Sequence, residues 1–141
     1  MKLRVFADTT LFIYAFEFPE SNSAIIIELL NKDEIEVVIS ERVLNEVSDY
    51  FKKFYNKELA YKFKKFLLDS CILILESEIK KEMETLKEKI KEKDLSQIST
   101  VRKYGIKYLI AYDRDFESFE EYFTPKKFLI ILNRFTRDKE F

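Results

Sequence analysis

Acidic side chains are the residues of this chain on which chemistry could rest. The 141 residues include no histidine and one cysteine. That removes Ser-His-Asp and Cys-His nucleophiles, histidine general acid–base work and His- or Cys-clustered zinc. The one glycine, Gly105, excludes a glycine-rich phosphate loop. What remains is carboxylate chemistry, in which acids hold a hard cation with oxygen ligands. Four acids stand at element boundaries or in the first two turns of a helix: Asp8 after the apolar run Leu3 to Ala7, Glu46, Asp94, and Asp113 after a second apolar run.

Each of the four also has a plain structural role open to it. Asp8 could cap the next helix, Glu46 could face solvent, Asp94 and Gln97 match a capping-box spacing, and Asp113 could be a turn residue. The elements that carry them decide between these readings. LRVFA reads as a short buried strand, and Leu11 to Phe16 as a short helix stopped near Pro19. Ser21 or Ser23 caps a helix through Leu30. Glu36 to Ile39 forms a second strand, and Ser40 caps a helix over about Glu41 to Tyr55. A further helix covers Lys57 to Leu68, and Cys71 to Leu75 is a third strand. In Glu76 to Lys93, almost wholly charged, Ile79, Met83, Leu86 and Ile90 fall at helical spacing, which predicts an exposed amphipathic helix. Asp94 begins DLSQISTVRKYG, closed by Gly105 at C′. Lys107 to Ala111 and Phe128 to Leu132 supply the fourth and fifth strands, and the tail Asn133 to Phe141 lies at the surface or frays.

Strands alternating with helices predict a three-layer α/β/α sandwich around a mostly parallel five-stranded sheet, one domain over residues 1–141. In such a sheet the C-terminal ends of the strands share one edge, the edge where ligands bind. Asp8 and Asp113 leave strands there, and the helix N-termini bearing Glu46 and Asp94 start there. Four carboxylates from distant segments in one cleft repel and raise one another's pKa, and a bound divalent cation relieves that repulsion. The pattern points to a metal site.

In these same motifs the chain resembles the PIN-domain ribonucleases: VFADTT with Asp8, ISERVLNEV with Glu46, KDLSQIS with Asp94 and GIKYLIAYDRDF with Asp113. The resemblance spans nearly the whole chain, and in size it looks like the VapC-type toxins and the stand-alone PIN proteins. It implies an endoribonuclease in which Asp8, Glu46, Asp94 and Asp113 hold one or two Mg²⁺ or Mn²⁺ ions, with Asp8 and Asp94 as direct ligands. Thr9 or Thr10 would position a carboxylate or the scissile phosphate, and Arg114, next to an acid, would contact RNA that is single-stranded or looped. Three positions depart from the family pattern. Thr10 stands where the family has Asn or Ser and keeps a hydroxyl, Ala111 stands where it has Thr or Ser before the last aspartate, which would weaken activity, and Gln97 replaces a small apolar residue. A catalytically weak or idle PIN-like module that binds RNA or protein is the rival reading. A receiver domain would want a second acid beside Asp8, and a haloacid-dehalogenase-like phosphatase an Asp where Thr10 stands.

Composition bears on surroundings and partners. The lone cysteine, Cys71, lies in the apolar run CILIL, so no internal disulfide forms and a reducing cytoplasm fits. The uncharged run Thr9 to Phe16 is far short of the ~20 residues that span a bilayer, so no membrane role is expected. A net charge of −1 neither favours nor excludes nucleic acid. Lys87, Lys89, Lys91 and Lys93 could follow RNA phosphates or simply solvate a helix. Tyr50 to Phe66 carries more aromatic surface than a small core absorbs, which predicts a homodimer or an antitoxin lying over this hairpin.

Overall fold

A computed structural model describes residues 2–141. Five strands, β1 (Leu3–Ala7), β2 (Ile35–Ser40), β3 (Ile72–Ile74), β4 (Leu109–Ile110) and β5 (Tyr122–Phe123), form one all-parallel sheet in the order β3-β2-β1-β4-β5. Seven α-helices are described: α1 (Thr9–Glu17), α2 (Asn22–Asn31), α3 (Glu41–Phe54), α4 (Lys57–Ser70), α5 (Lys80–Leu86), α6 (Glu92–Lys103) and α7 (Pro125–Ile131). Successive strand residues point to opposite faces, yet Val5, Phe6 and Ala7 are all fully buried. The central strand is therefore covered on both sides, as expected of a parallel sheet. Helices α1, α2, α3, α4 and α7 pack in a connected series, while α5 packs on α6 and α6 on β2.

Local sequence accounts for most boundaries. Ser21 and Ser40 cap α2 and α3, accepting from the N–H groups of Ala24 and Val43. Gly105 takes a φ of +62° after α6, and the N–H of Ile106 closes back on the carbonyl of Val101. That is a Schellman turn, the reason a glycine sits there.

Three expectations need correction, and a fourth is narrowed. Phe128 to Leu132 belongs to a helix, not to the fifth strand, which is Tyr122–Phe123. Thr124 caps α7 by accepting from the N–H of Lys127, and Pro125 occupies the first turn, so a strong helix start precedes an apolar run that by itself looks like a strand. The charged stretch Glu76 to Lys93 is not one helix but a 3-10 turn (Glu76–Glu78), α5 and the start of α6. Ile79 is fully buried and Met83, Leu86 and Ile90 pack on the core, which bends the chain around it. Helix α6 begins at Glu92, so Asp94 is its third residue and not its cap. Finally, of the two readings of the tail the first holds: it lies at the surface, docked there and not frayed. Fully buried Asn22 accepts from the N–H of Arg137 at 2.7 Å and donates to the carbonyl of Lys139, and Phe141 packs on Tyr14, Phe18 and Tyr112.

The aromatic hairpin is partly absorbed by packing. Phe51 stacks on Phe63 with centroids 4.0 Å apart, and Tyr50 and Tyr55 both donate to Glu17. Phe54 and Tyr61 stay exposed, at 60% and 68%. Beside them an apolar groove of about 330 Å³ runs between α1, α2 and α4, lined by Phe12, Phe16, Ile27, Leu59, Phe63 and Phe66. Among the described residues no helix is long and apolar enough to cross a membrane.

Candidate active site

Asp8 follows the last residue of β1, and its N–H donates to the carbonyl of Ile110 at 3.0 Å, which ties it to the end of β4. It occupies the N-cap position of α1, yet its side chain makes no capping bond. The carboxylate instead accepts from Nε2 of Gln97 at 3.2 Å. Only 5% of the residue is exposed, and burial raises its pKa to about 6. Hydrogen bonds from Gln97 and the Thr9 backbone oppose that rise, and the charges of Glu46 and Asp113 add to it. Burial decides because taking a charge out of water costs more than two neutral donors return.

Glu46 arrives from the second turn of α3. Its Oε1 accepts from the Thr9 hydroxyl at 2.8 Å, and its Oε2 lies 3.4 Å from Nε of Arg42. Arg42 is itself shared with Glu92 at 3.1 Å. Thr9 therefore positions a carboxylate, while Thr10 turns to the backbone, its hydroxyl accepting from the N–H of Tyr112 at 3.0 Å. That bond anchors the loop that carries Asp113.

Asp94 is 4% exposed in the first turn of α6. Its pKa is raised, by burial first; Lys93 works against the rise, and Asp113 and Asp115 add to it. Asp113 follows β4, with its N–H donating to the Tyr122 hydroxyl at 3.3 Å and its Oδ1 accepting from the N–H of Asp115 at 2.9 Å. Asp8, Thr9, Thr10, Glu46, Asp94 and Asp113 all line one cleft of about 330 Å³. Arg114 does not; it lines a separate cleft on the far side of Asp113.

In and beside this cleft the acids are not evenly spread. One oxygen each from Asp94, Asp113 and Asp115 lies within 4.8 Å of the others, close enough to share an ion. Asp115 was not among the candidates read from sequence. Its signal was the second aspartate of YDRDF, two residues beyond Asp113, and spacing alone could not say whether it faces inward. Its carboxylate is paired with Lys93 and, at 3.4 Å, with Lys91, which hold its pKa below the usual range. Lys91 and Lys93 thus pair with an acid at the cleft and do not simply solvate a helix face. The chemistry of the set suits a hard divalent cation: Asp8 is a buried carboxylate with no cationic partner among the described residues, and oxygen ligands converge beside it.

The departures noted in the sequence meet at this point. Ala111 is fully buried and has no hydroxyl to offer. Gln97, a further departure, makes the orienting hydrogen bond to Asp8, and is held in turn by the Ser96 hydroxyl at 3.0 Å. Ser96 lies 3.4 Å from Ser40 at the start of α3. A buried polar chain from α3 to Asp8 thereby restrains the carboxylate without a residue 111 hydroxyl.

No sequence among curated proteins matches this chain significantly. Solved structures do share its fold. VapC20 of Mycobacterium tuberculosis, a sarcin–ricin loop cleaving toxin, superimposes with a TM-score of 0.64 at 16% identity, over 81% of this chain and 93% of that one. A toxin–antitoxin complex from Klebsiella pneumoniae gives 0.68 at 20% identity, over 86% and 97%. VapBC2 of Rickettsia felis, bound to a DNA fragment from its promoter, gives 0.58 at 20%, over 82% and 92%. The family model of the PIN domain matches residues 5–122, a span that includes Asp8, Glu46, Asp94 and Asp113, and the chain belongs to the PIN domain family.

Proposed function

We propose that this protein is a metal-dependent endoribonuclease that hydrolyses RNA phosphodiester bonds at the cleft formed by Asp8, Glu46, Asp94 and Asp113. The observation that carries the reading is the buried Asp8 carboxylate, without a cationic partner among the described residues, in one cleft with three other acids. Folding alone has no use for such a group, and a cation supplies the missing counter-charge. Asp8, Asp94 and Asp113 would hold Mg²⁺ or Mn²⁺, with Glu46 kept in reach by Thr9 and Asp115 beside them. When bound, the ion supplies activation of water and neutralises charge developing on the leaving oxygen. The protein's own part is placement: Gln97 orients Asp8, Thr9 orients Glu46, and Thr10 anchors the Tyr112–Asp113 loop. VapC20's cleavage of the sarcin–ricin loop supports a looped or single-stranded substrate, here RNA.

The check is a labelled single-stranded RNA incubated with Mn²⁺, with Mg²⁺, and with a chelator. Cleavage should require the metal, and Mn²⁺ should raise the melting temperature of the protein. Cleavage that survives chelation would remove the metal from the mechanism. An idle binding module is the second reading, and buried Ala111 is the observation on its side. Metal-stabilised protein that binds RNA and never cuts it would establish that reading instead.

A toxin role, with an antitoxin or a second copy over the apolar groove between α1, α2 and α4, is part of the proposal. Two of the similar structures contain a toxin with its antitoxin or promoter complex, which supports such a partner. Light scattering should report a dimer, or a complex with a co-purifying small protein. A strictly monomeric mass at high concentration with nothing bound would sink the association.

A further inference from the structure

We infer that the cleft on the far side of Asp113 is a nucleotide subsite, which receives the base and phosphate flanking the scissile bond of a single-stranded RNA. The inference rests on the nuclease reading of the acidic cleft. Asp113 lines both clefts, so a strand whose scissile phosphate lies at the acids continues directly into the second one. At about 690 Å³ that cleft falls inside the ~300–1,000 Å³ typical of small-ligand sites. Its walls match the parts of a nucleotide. Tyr112 is 41% exposed, and its ring is braced by Tyr14 and Phe141, with centroids 5.9 and 5.3 Å away. A fixed, half-open aromatic is a stacking platform for a base of any sequence. Arg114 and Lys127, both exposed, supply the cations for phosphate.

Charge pairing singles out this direction. On the other flank the cations are already engaged: Arg42 with Glu46 and Glu92, Lys91 and Lys93 with Asp115. Among the described residues neither Arg114 nor Lys127 has a carboxylate within ion-pairing distance. The same cleft contains two glutamates. Glu140 is occupied by the Thr124 hydroxyl at 2.8 Å, and Glu117 stands exposed at the rim. They disfavour a bare polyanion and suit a ligand with N–H donors on its base edge, which every RNA base has and inorganic phosphate lacks.

The probe is a fluorescein-labelled single-stranded oligoribonucleotide, titrated by anisotropy into the uncleaving Asp94→Asn chain at several salt concentrations. Arg114→Gln with Lys127→Gln should weaken binding and lower the slope of log affinity against log salt by about 0.7 for each phosphate that is no longer neutralised. Tyr112→Ala should weaken it roughly tenfold, and Tyr112→Phe should restore it. Introduced into the cleaving parent, the Arg114→Gln/Lys127→Gln pair should raise KM and leave kcat in place, since both cations serve bound substrate and transition state alike. Unchanged affinity, slope and KM in the charge variants would overturn the subsite even where the parent cuts RNA normally. A parent that never cuts RNA, yet needs these residues to bind the oligonucleotide, would sink the nuclease reading and keep the subsite.

Discussion

Asp94→Asn should abolish RNA cleavage and still leave the metal-free protein at least as stable as the parent. A structural aspartate would behave in the opposite way. Asp94 is the third residue of α6, and the helix takes no side-chain cap from it, so asparagine removes no capping bond. What asparagine does remove is a negative charge in a helical first turn, an interaction worth roughly 0.3–1 kcal/mol. Against that stand burial and the charges of Asp113 and Asp115. Burial first, then Asp113 and Asp115, raises the Asp94 pKa against Lys93 and Lys91, so the carboxylate is on balance unfavourable in the folded chain. With Mn²⁺ the order reverses. At a concentration about a hundredfold above Kd the parent gains roughly 2.7 kcal/mol, and the variant much less. Loss of activity should exceed ~100-fold, because even outer-shell partners of a metal typically cost ~10–100-fold. Paired melts with chelator and with Mn²⁺, beside a cleavage assay, are sufficient. A variant that keeps both its Mn²⁺ stabilisation and its nuclease activity would take Asp94 out of the site.

Asp8→Asn should stabilise the metal-free protein near pH 7, and the gain should vanish as the pH falls. Asp8 has a folded pKa of about 6, above the 3.8 of an unperturbed aspartate. A group raised in this way binds protons more tightly when folded. Its favourable contribution is complete below pH ~4 and is lost as the pH rises through ~6. A shift of about two units corresponds to the order of 2–3 kcal/mol at neutral pH, or roughly 5–10 °C in melting temperature for a chain of this size. Asparagine can keep the contact with Gln97 and carries no charge, so it avoids the loss. The difference between variant and parent should therefore be near zero at pH ~4 and reach its plateau above pH ~7. Taking the difference cancels opposing groups such as Asp115, whose lowered pKa acts in the other direction. Saturating Mn²⁺ should abolish the advantage of the variant, because the parent carboxylate then has its counter-charge. Melting curves that run parallel across this range would mean that Asp8 is solvated or paired in solution.

Both expectations show how far the candidate site could be read in advance. That Asp8, Glu46, Asp94 and Asp113 line one cleft was legible, because a parallel sheet converts order along the chain into position at one edge. Their surroundings were not. Gln97 stands out in sequence only as an oddity in a helix, yet it reaches Asp8 across 89 residues. Asp115 is two residues from Asp113 and could have faced either way. The 3-10 turn over Arg114–Phe116 turns it toward Asp94 and sends Arg114 to the neighbouring cleft.

The sequence by itself determined what depends on neighbours along the chain: the strand LRVFA, a serine cap at Ser21 or Ser23 before α2, the cap at Ser40, and the glycine that ends α6. Those features follow from backbone sterics and bonds that span three to five residues. Tertiary structure decided the rest. FLIIL has the composition of a strand, and Thr124 and Pro125 with the packing of Phe128 and Leu129 make it a helix. The tail has no periodicity, and a buried Asn22 more than a hundred residues earlier holds it in place. The state of the acids was decided last and at longest range. A carboxylate's pKa depends on which groups are excluded from water around it, and that exclusion exists only once the whole chain has packed.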